Sequence, residues 1–593
     1  MSTRVTHSSH WGAFEAVVEN GSVTGVVPWA GDQHPSPLLA NIPGSTEHKA
    51  RISQPHVRAG WLRDGSGPSD RRGSDELVPV SWDEALDLAA TELRRVIEAH
   101  GNRAIYGGSY GWSSAGRFHH AQSQLHRFLN VLGGYVGHVN TYSNAAGEVI
   151  LDRVVGSMRD VIFKATAWEV IAEHTDLVLA FGGLPLKNSA VSPGGASRHV
   201  MRNQLIAAAE RGCEFVYVSP LKDDLIDEAG GTWIAPIPGT DVPIMLAMAY
   251  VLLDEGLADR AFIDRYTAGF DEFARYLCGE DDGTPKTPEW AAEISGIPAS
   301  TIAELARKLV RGRTLISVSW SLQRTQHGEQ PPWAALALAA MTGQIGLPGG
   351  GYGFGYASMA SVGEDSHMLG APLLPQGQNP VRDFIPVARI SDMLLNPGAE
   401  FDYDGQRLTY PDIKVVYWGG GNPFHHHQDL ARLRRALGRV DTVIVHDPYW
   451  TPMARHADIV FPSTVTLERD DIGAASTDPL IVAMKQGVEP FAQARDDYAT
   501  FTELARRLGK EQDFTEGRSA AEWLRHIYDV WADRVERRWP EVPTFEEFQE
   551  RGFVELPLPE KPTVMFEAFR EDPEGKPLRT LSGRIEIHSE TIA

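Results

Sequence analysis

Cysteine is almost absent: Cys213 and Cys278 are the only two in 593 residues. Two thiols exclude a disulfide scaffold, an iron–sulfur cluster held wholly by cysteine and a four-cysteine zinc site. Basic charge is also short. Lys and Arg number 55 against 78 Asp and Glu, a net charge of −23, so binding to nucleic acid or to an anionic membrane is not expected. Long apolar runs are missing. The best, 243–253 (PIMLAMAYVLL) and 333–341 (WAALALAAM), stop well short of the roughly 18–20 residues that cross a bilayer and read as buried core helices. The opening MSTRVTHSSHWG has no apolar core behind a positive region. No export signal is visible there, so a cytoplasmic protein is expected, or a periplasmic one were the start truncated.

What is present is globular. The chain is 42% apolar and 22% charged, which argues against disorder, and its length suits about four domains. Short apolar runs ending in Gly, Ser, Asp or Pro alternate with helical stretches. Strands are expected at 175–183 (TDLVLAFGG), 213–220 (CEFVYVSP), 232–238 (TWIAPIP) and 314–321 (TLISVSWS), with helices near 203–211, 242–255, 299–311 and 332–342. A second set, 412–420 (DIKVVYWGG), 441–447 (DTVIVHD) and 457–462 (ADIVFP), carries a helix over 428–437. Continuously apolar strands alternating with helices predict an α/β protein of two doubly wound units with parallel sheets covered on both faces. Ligands of such sheets bind beyond the carboxyl ends of the strands. That rule singles out Lys187, Ser219, Asp241, Arg324, Asn422 and Asp447. The segment 346–355 (GLPGGGYGFG) reads as a loop, too rich in glycine for helix or strand. The charged, proline-broken 529–560 reads as a surface wrap.

Some segments carry candidate chemistry. In 109–116 (SYGWSSAG), Tyr110 and Trp112 stand between small residues, in what reads as a strand-to-helix turn. Small neighbours let the backbone approach a ligand while phenol and indole offer donors, although two aromatics tucked into a core give the same pattern. In 142–147 (YSNAAG), Ser143 reads as a helix N-cap. A hydrolytic nucleophile is the other reading, without the G-x-S-x-G spacing or an assignable base. His425-His426-His427 and the His7/His10 pair look ligand-rich. Neither has H-E-x-x-H spacing, and adjacent histidines rarely chelate one ion, so two of the three are expected at the surface or in a cap. The G-x-G-x-G of 351–355 lacks the strand-before, helix-after context of a dinucleotide fingerprint.

The order of the motifs says more than any one of them. HSSHWGAF (7–14), VSWDEAL (80–86), GSYGW (108–112), YSNAAG (142–147), QRTQHGEQ (323–330) and GQIGLPGGGYG (343–353) are followed by GNPFHHHQ (421–428), 457–469, AMKQ (483–486), AFREDP (568–573) and SGRIEI (582–587). In that order, over nearly the whole chain, they resemble the molybdopterin oxidoreductase family. The branch they resemble holds the dimethyl sulfoxide, trimethylamine N-oxide and biotin sulfoxide reductases, and the biotin or methionine sulfoxide type is the most similar.

The resemblance implies a molybdenum held by two molybdopterin guanine dinucleotides, written Mo-bis(molybdopterin guanine dinucleotide). It also implies a small S-oxide or N-oxide substrate, an external electron donor (a reductase, flavin protein or cytochrome) and a monomer. Ser143 falls on the metal-ligand position, and a hard alkoxide suits a high-valent metal that passes oxygen. Tyr110 and Trp112 match residues beside the oxo position, and Tyr110 favours sulfoxides over trimethylamine N-oxide. Arg324 matches a funnel residue that polarises the oxide oxygen, and Ser113, Ser114, Trp320 and Ser321 match cofactor contacts, as do Trp112 and Arg324. Lys187, Asn188, Ser219, Gly239, Thr240 and Asp241 fall in one nucleotide site; Asn422, His426, Asp447, Arg469 and Asp497 fall in the other.

Departures from the family pattern are equally specific. Asn140-Thr141 stand where the family commonly has Gly-Asp, which removes a buried charge beside the metal. Cysteine ligands for an N-terminal cluster are missing, as in this branch. The chain stops soon after SGRIEI, the motif that opens a final β-rich domain in the family. The expected organisation is a β-rich segment 1–55, a discontinuous α/β domain of 56–150 plus 365–520, a dinucleotide-binding α/β domain of 151–350, and a wrap with the start of a truncated β-rich domain at 521–593. The alternatives are a trimethylamine N-oxide reductase, a silent fragment lacking the domain that closes over the cofactor, and a serine hydrolase using Ser143.

Overall fold

The computed structural model describes residues 2–593 except Tyr110, Ser366, His367, Met368 and Ser476. Contacts divide the chain into two compact units, one of residues 1–142, 193–197 and 368–557, the other of residues 143–192, 198–367 and 558–593. The sequence motifs suggest four segments instead. The terminal ones do not stand apart, because each pairs into a larger unit: Thr6 bonds the Ala483 carbonyl in the first, and Ile585–Glu586 pairs with Thr267–Ala268 in the second.

The first unit is built on a six-stranded sheet in the order Leu77–Pro79, His56–Arg58, Ile459–Pro462, Thr442–Asp447, Val415–Gly419, Ile105–Gly107. The last four run parallel, and the two edge strands run antiparallel. Every residue of the parallel strands is buried, which is why they are nearly unbroken apolar runs. Helix Trp82–His100 starts at Ser81, whose hydroxyl accepts the Glu84 N–H, and it buries Ala85, Leu86, Ala89, Leu93 and Val96 on one face.

The charged stretch 529–560 is not a wrap. Helix Ala520–Val535 opens with a capping box of Ser519 and Glu522 and buries Trp523, Tyr528 and Trp531. Its charges at Arg525, Asp529 and Asp533 recur every four residues on the exposed face. Phe553–Glu555 then pairs with Leu480–Met484. The amphipathic period decides the placement, and overall charge does not.

An ionic knot locks the edge hairpin to this sheet. Asp458, fully buried, accepts Arg58 Nε at 2.7 Å, Arg72 Nε at 2.8 Å and the Val443 amide at 2.8 Å. Arg58 also bonds Asp75 at 2.7 Å, and Arg72 bonds the carbonyls of Leu437 and Val440 at 2.7 and 3.0 Å.

The second unit holds a five-stranded parallel sheet in the order Thr232–Ile234, Glu214–Val218, Leu177–Phe181, Thr314–Val318, Gly351–Phe354. The chain moves outward from Leu177–Phe181 in one direction, then returns to build on its other side. The strand order therefore reverses between Leu177–Phe181 and Thr314–Val318, the place where such sheets take ligands. Helices Asp241–Asp254 and Gln330–Met341 are apolar around most of their circumference and supply much of the core.

The glycine-rich segment 346–355 is therefore not all loop. Gly351–Phe354 is the edge strand, paired in parallel with Thr314–Val318. A Cβ at Gly353 would collide with the Tyr356 ring, and one at Gly355 with the Trp320 indole. These glycines make room for aromatics, and the composition rule misreads them as flexibility.

The Asp458 knot yields a stability prediction. Asp458→Ala leaves buried Arg72 with carbonyl acceptors only and Arg58 with Asp75 alone, and is expected to cost about 3–5 kcal/mol. Chemical denaturation of the purified variant measures this, and a loss below about 1 kcal/mol would show that the knot behaves like a solvent-screened surface pair.

Candidate functional site

In the first unit the parallel strands end along one edge, and the candidate residues follow them. After Ile105–Gly107 the chain runs through Ser109 to Trp112, Ser113 and Ser114; Tyr110 lies outside the described residues. Gly108 leaves the space that Trp418 fills, and Ser109 and Ser113 adopt positive φ of 69° and 53°. Asp471 holds the next stretch, accepting the amides of Arg117, Phe118 and His119 at 3.1, 2.9 and 3.1 Å. Two imidazoles grip the loop's carbonyls: His120 Nε2 lies 3.1 Å from Trp112 O, and His10 Nε2 lies 3.4 Å from Ser113 O. Burial pushes His120 down to about 3, so it serves here as a neutral hydrogen-bonding ring.

A cavity of about 320 Å³ opens at these strand ends, lined among others by His10, Ser113, His446, Ser463, Arg469 and Asp497. The volume suits a small ligand, for which about 300–1,000 Å³ is usual. Arg469 donates to Thr464 O at 2.8 Å, Thr464 Oγ1 at 2.6 Å and His119 O at 3.4 Å, all neutral acceptors. Its Nε is buried without a partner among the described residues, as are Ser113 Oγ and Asn422 Nδ2. The Asn422 carbonyl side caps a turn by accepting the Phe424 amide at 3.2 Å. Asp447, last residue of its strand, accepts the Tyr449 amide at 2.9 Å and the Thr451 hydroxyl at 2.8 Å, yet burial pushes it up to about 7. Asp497 goes the other way. Burial raises it, but His446, Arg469 and Ser463 outweigh that and hold it below the usual carboxylate range. His426 is exposed and stacks on Tyr142 at 6.0 Å, while His427 is buried with Nδ1 3.1 Å from the Tyr142 hydroxyl.

The second unit carries its own strand-end set. Ser219, just past Glu214–Val218, donates to Asp224 at 2.7 Å, and Lys187 reaches the other Asp224 oxygen at 3.2 Å. Asn188 and Gly239 are exposed, and Thr240 donates to the Ile237 carbonyl at 2.6 Å. Asp241 begins helix Asp241–Asp254, and burial pushes its carboxyl up to about 6. Past Thr314–Val318, Trp320 has a buried Nε1 with no partner among the described residues, and exposed Ser321 touches Ser319.

Ser143 is not a helix cap. Helix Ala145–Val154 begins at Asn144 and has no side-chain cap. Gln323 takes the cap's place: its Oε1 accepts the Ala146 amide at 2.9 Å, and its Nε2 donates to Ser143 O at 2.9 Å. Arg324 Nε also donates to Ser143 O, at 3.2 Å. This clamp fixes the Ser143 backbone and leaves its hydroxyl out.

The candidates thus fall into a first-unit group of Trp112, Ser113, Ser114, Asn422, His426, Asp447, Arg469 and Asp497, and a second-unit group of Ser143, Lys187, Asn188, Ser219, Gly239, Thr240, Asp241, Trp320, Ser321 and Arg324. Sequence reasoning passed over Gln323, Asp471, Asp224 and His446. Only His446 carried a local signal, a polar residue closing an apolar strand beside Asp447; the others act through partners far along the chain. Among the described residues no group of three His, Cys, Asp or Glu could hold a metal ion, and no helix is long and apolar enough to cross a membrane.

Comparison with known proteins identifies the family. Residues 51–507 match the molybdopterin oxidoreductase family, and residues 7–46 match the molybdopterin oxidoreductase N-terminal domain. The biotin sulfoxide reductase of Cereibacter sphaeroides is 46% identical over 96% of this chain and 77% of its own. The dimethyl sulfoxide/trimethylamine N-oxide reductase of Rhodobacter capsulatus is 43% identical over 99% and 73%, and the trimethylamine-N-oxide reductase of Haemophilus influenzae 38% over 100% and 74%. In fold, the chain is similar to the acetylene hydratase of Pelobacter acetylenicus, with a TM-score of 0.67 at 20% identity over 98% of this chain and 76% of that one. The chain belongs to the molybdopterin oxidoreductase family.

Proposed function

We propose that the chain is a molybdenum-dependent reductase of S-oxides and N-oxides, with sulfoxides preferred, driven by an external electron donor and acting as a monomer. The observation that carries this is the near full-length similarity to sulfoxide and N-oxide reductases at 38–46% identity. The net reaction consumes two electrons and two protons and releases a sulfide or amine with water.

Family membership brings a molybdenum–molybdopterin cofactor, and the residues present fit one. Ser113 Oγ, Asn422 Nδ2, Arg469 Nε and Trp320 Nε1 are buried without partners among the described residues. A buried donor left unmet costs about 1–3 kcal/mol, so each unit by itself offers donors suited to phosphate or heterocycle acceptors. The finer reading is that the group is Mo-bis(molybdopterin guanine dinucleotide). Support comes from buried acids in each unit, the strand-end Asp447 and the helix-start Asp497 in one and the helix-start Asp241 in the other, which suit the N–H edge of guanine.

When bound, the group supplies oxygen-atom acceptance and two-electron transfer. The chain's own residues orient and polarise. Ser143 offers its hydroxyl as the protein ligand, and Gln323 and Arg324 hold its carbonyl so that the hydroxyl keeps one direction. The exposed guanidinium of Arg324 meets the oxide oxygen and stabilises the negative charge that grows there as the S–O or N–O bond breaks. Trp112 and Tyr110 border the substrate, Tyr110 donating its phenolic hydrogen.

Two tests follow. Ser143→Ala should lower dimethyl sulfoxide turnover with a reduced dye by about 100-fold or more, with thermal stability kept; near-normal turnover would refute the ligand role. The second test uses pH. Asp447 and Asp241 sit near 7 and 6 through burial, so they add stability in acid that is lost as pH rises through those values. A nucleotide that donates N–H groups favours their ionised forms. Guanosine diphosphate binding should therefore release protons at pH 6 and weaken as pH falls below about 7. Calorimetry in buffers of different ionisation enthalpy reads this directly, and proton uptake would contradict it.

A further inference from the structure

Asp497 does not stand alone in the first-unit cavity. The Tyr417 hydroxyl lies 3.0 Å from His446 Nε2, His446 Nδ1 lies 3.0 Å from Asp497 Oδ1, and Ser463 Oγ donates to the same Oδ1 at 2.9 Å. Tyr417, His446 and Asp497 are all buried, the last two at 2% and 3% exposure. A carboxylate only accepts, so Nδ1 carries the proton it shares with Asp497, and Nε2 faces the Tyr417 hydroxyl. The imidazole cannot turn. It stacks on Phe501 at 4.6 Å and 13°, and meets the Phe461 ring at 5.0 Å and 63°.

Both donors of this chain fall on one oxygen. Oδ1 is filled, and Oδ2 stays outside the network on a side chain that lines the cavity. An ionised oxygen with two lone pairs selects N–H donors. Guanine presents two side by side on one edge, the ring N1–H and the 2-amino group, whereas adenine presents one, the 6-amino group, beside the repelling N1 lone pair.

We propose that His446 is a positioning residue that holds Asp497 ionised and oriented to select guanine over adenine, with Tyr417 fixing its tautomer. The proposal rests on the guanine dinucleotide reading above. It adds a buried Tyr–His–Asp chain as the source of base selectivity, in a place where neither Tyr417 nor His446 has to touch the nucleotide.

The test uses the full chain purified from cells unable to make the pterin, titrated with guanosine and adenosine diphosphate. Wild type should prefer the guanosine form by about tenfold or more, about 1.4 kcal/mol. His446→Phe keeps the stacked ring and removes the Nδ1 donor, so the preference should fall towards parity. His446→Asn places an amide N–H near the Nδ1 position and should restore it, whereas His446→Gln, whose amide lies near Nε2, should not. Loss in Phe and Gln with rescue in Asn, at similar melting temperatures, supports the proposal. Should Phe fail to fold, the contrast between Asn and Gln decides. Equal selectivity in Asn and Gln, or unchanged selectivity in Phe, overturns the role of His446 while leaving the dinucleotide reading intact. A wild type without preference for guanosine diphosphate, and with no GMP released by acid from protein made in cofactor-competent cells, fails the dinucleotide reading itself and the proposal with it.

Discussion

A parallel strand buried on both faces can satisfy its backbone only through its neighbours, and that satisfaction stops where the strand stops. In each unit the strand ends fall along one sheet edge. The last carbonyls and the first loop amides there need side chains, turns or ligands. This explains why glycine, serine, asparagine and aspartate gather at 108–114, 182–183, 219, 319–321, 420–422, 447 and 463. Glycine bends the chain, the hydroxyls and carboxylates catch orphan amides, and whatever polarity remains is turned outward. The candidate site is the residue of that requirement.

The buried charges separate into two kinds. Asp458 with Arg58 and Arg72, and Asp471 with three loop amides, are systems in which the carboxylate oxygens meet their donors. They fix shape and leave little for a ligand. Arg469, Asn422 and Ser113 are open, with buried polar atoms that nothing among the described residues answers. The open set lies beside the cavity and the strand ends, and the closed set holds the loops that carry it.

The sequence made the sheets legible because a doubly covered strand must be apolar throughout: 175–183 contains Leu177–Phe181, and 441–447 contains Thr442–Asp447. It misled where local composition and distant packing disagree. Gly351–Phe354 looks like a loop until Tyr356 and Trp320 are seen to fill the missing side chains. Charge across 529–560 hides a helix whose aromatic face is period 3.6. Ser143 looks like a cap because Ser before a helix commonly is one; Gln323, 180 positions away, does the capping. The strand-end candidates were readable by rule, but their supporting partners were not, since Asp471, Gln323 and His446 act through contacts that no local window contains.

The carboxylates in the proposed nucleotide sites show why residue type alone underdetermines chemistry. Asp447 and Asp241 are buried with few donors, so each holds its proton towards neutral pH. Asp497 is at least as buried, yet a histidine, a serine and the field of Arg469 keep it ionised. Burial sets the cost of the charge, and the donors around the oxygen decide whether the charge survives it. A ligand therefore meets an acceptor already formed at Asp497 and acceptors at Asp447 and Asp241 that it must itself create by displacing protons. The first can discriminate between bases at any neutral pH. The others couple occupancy to proton release, so selectivity and pH dependence come from different carboxylates in the same chain.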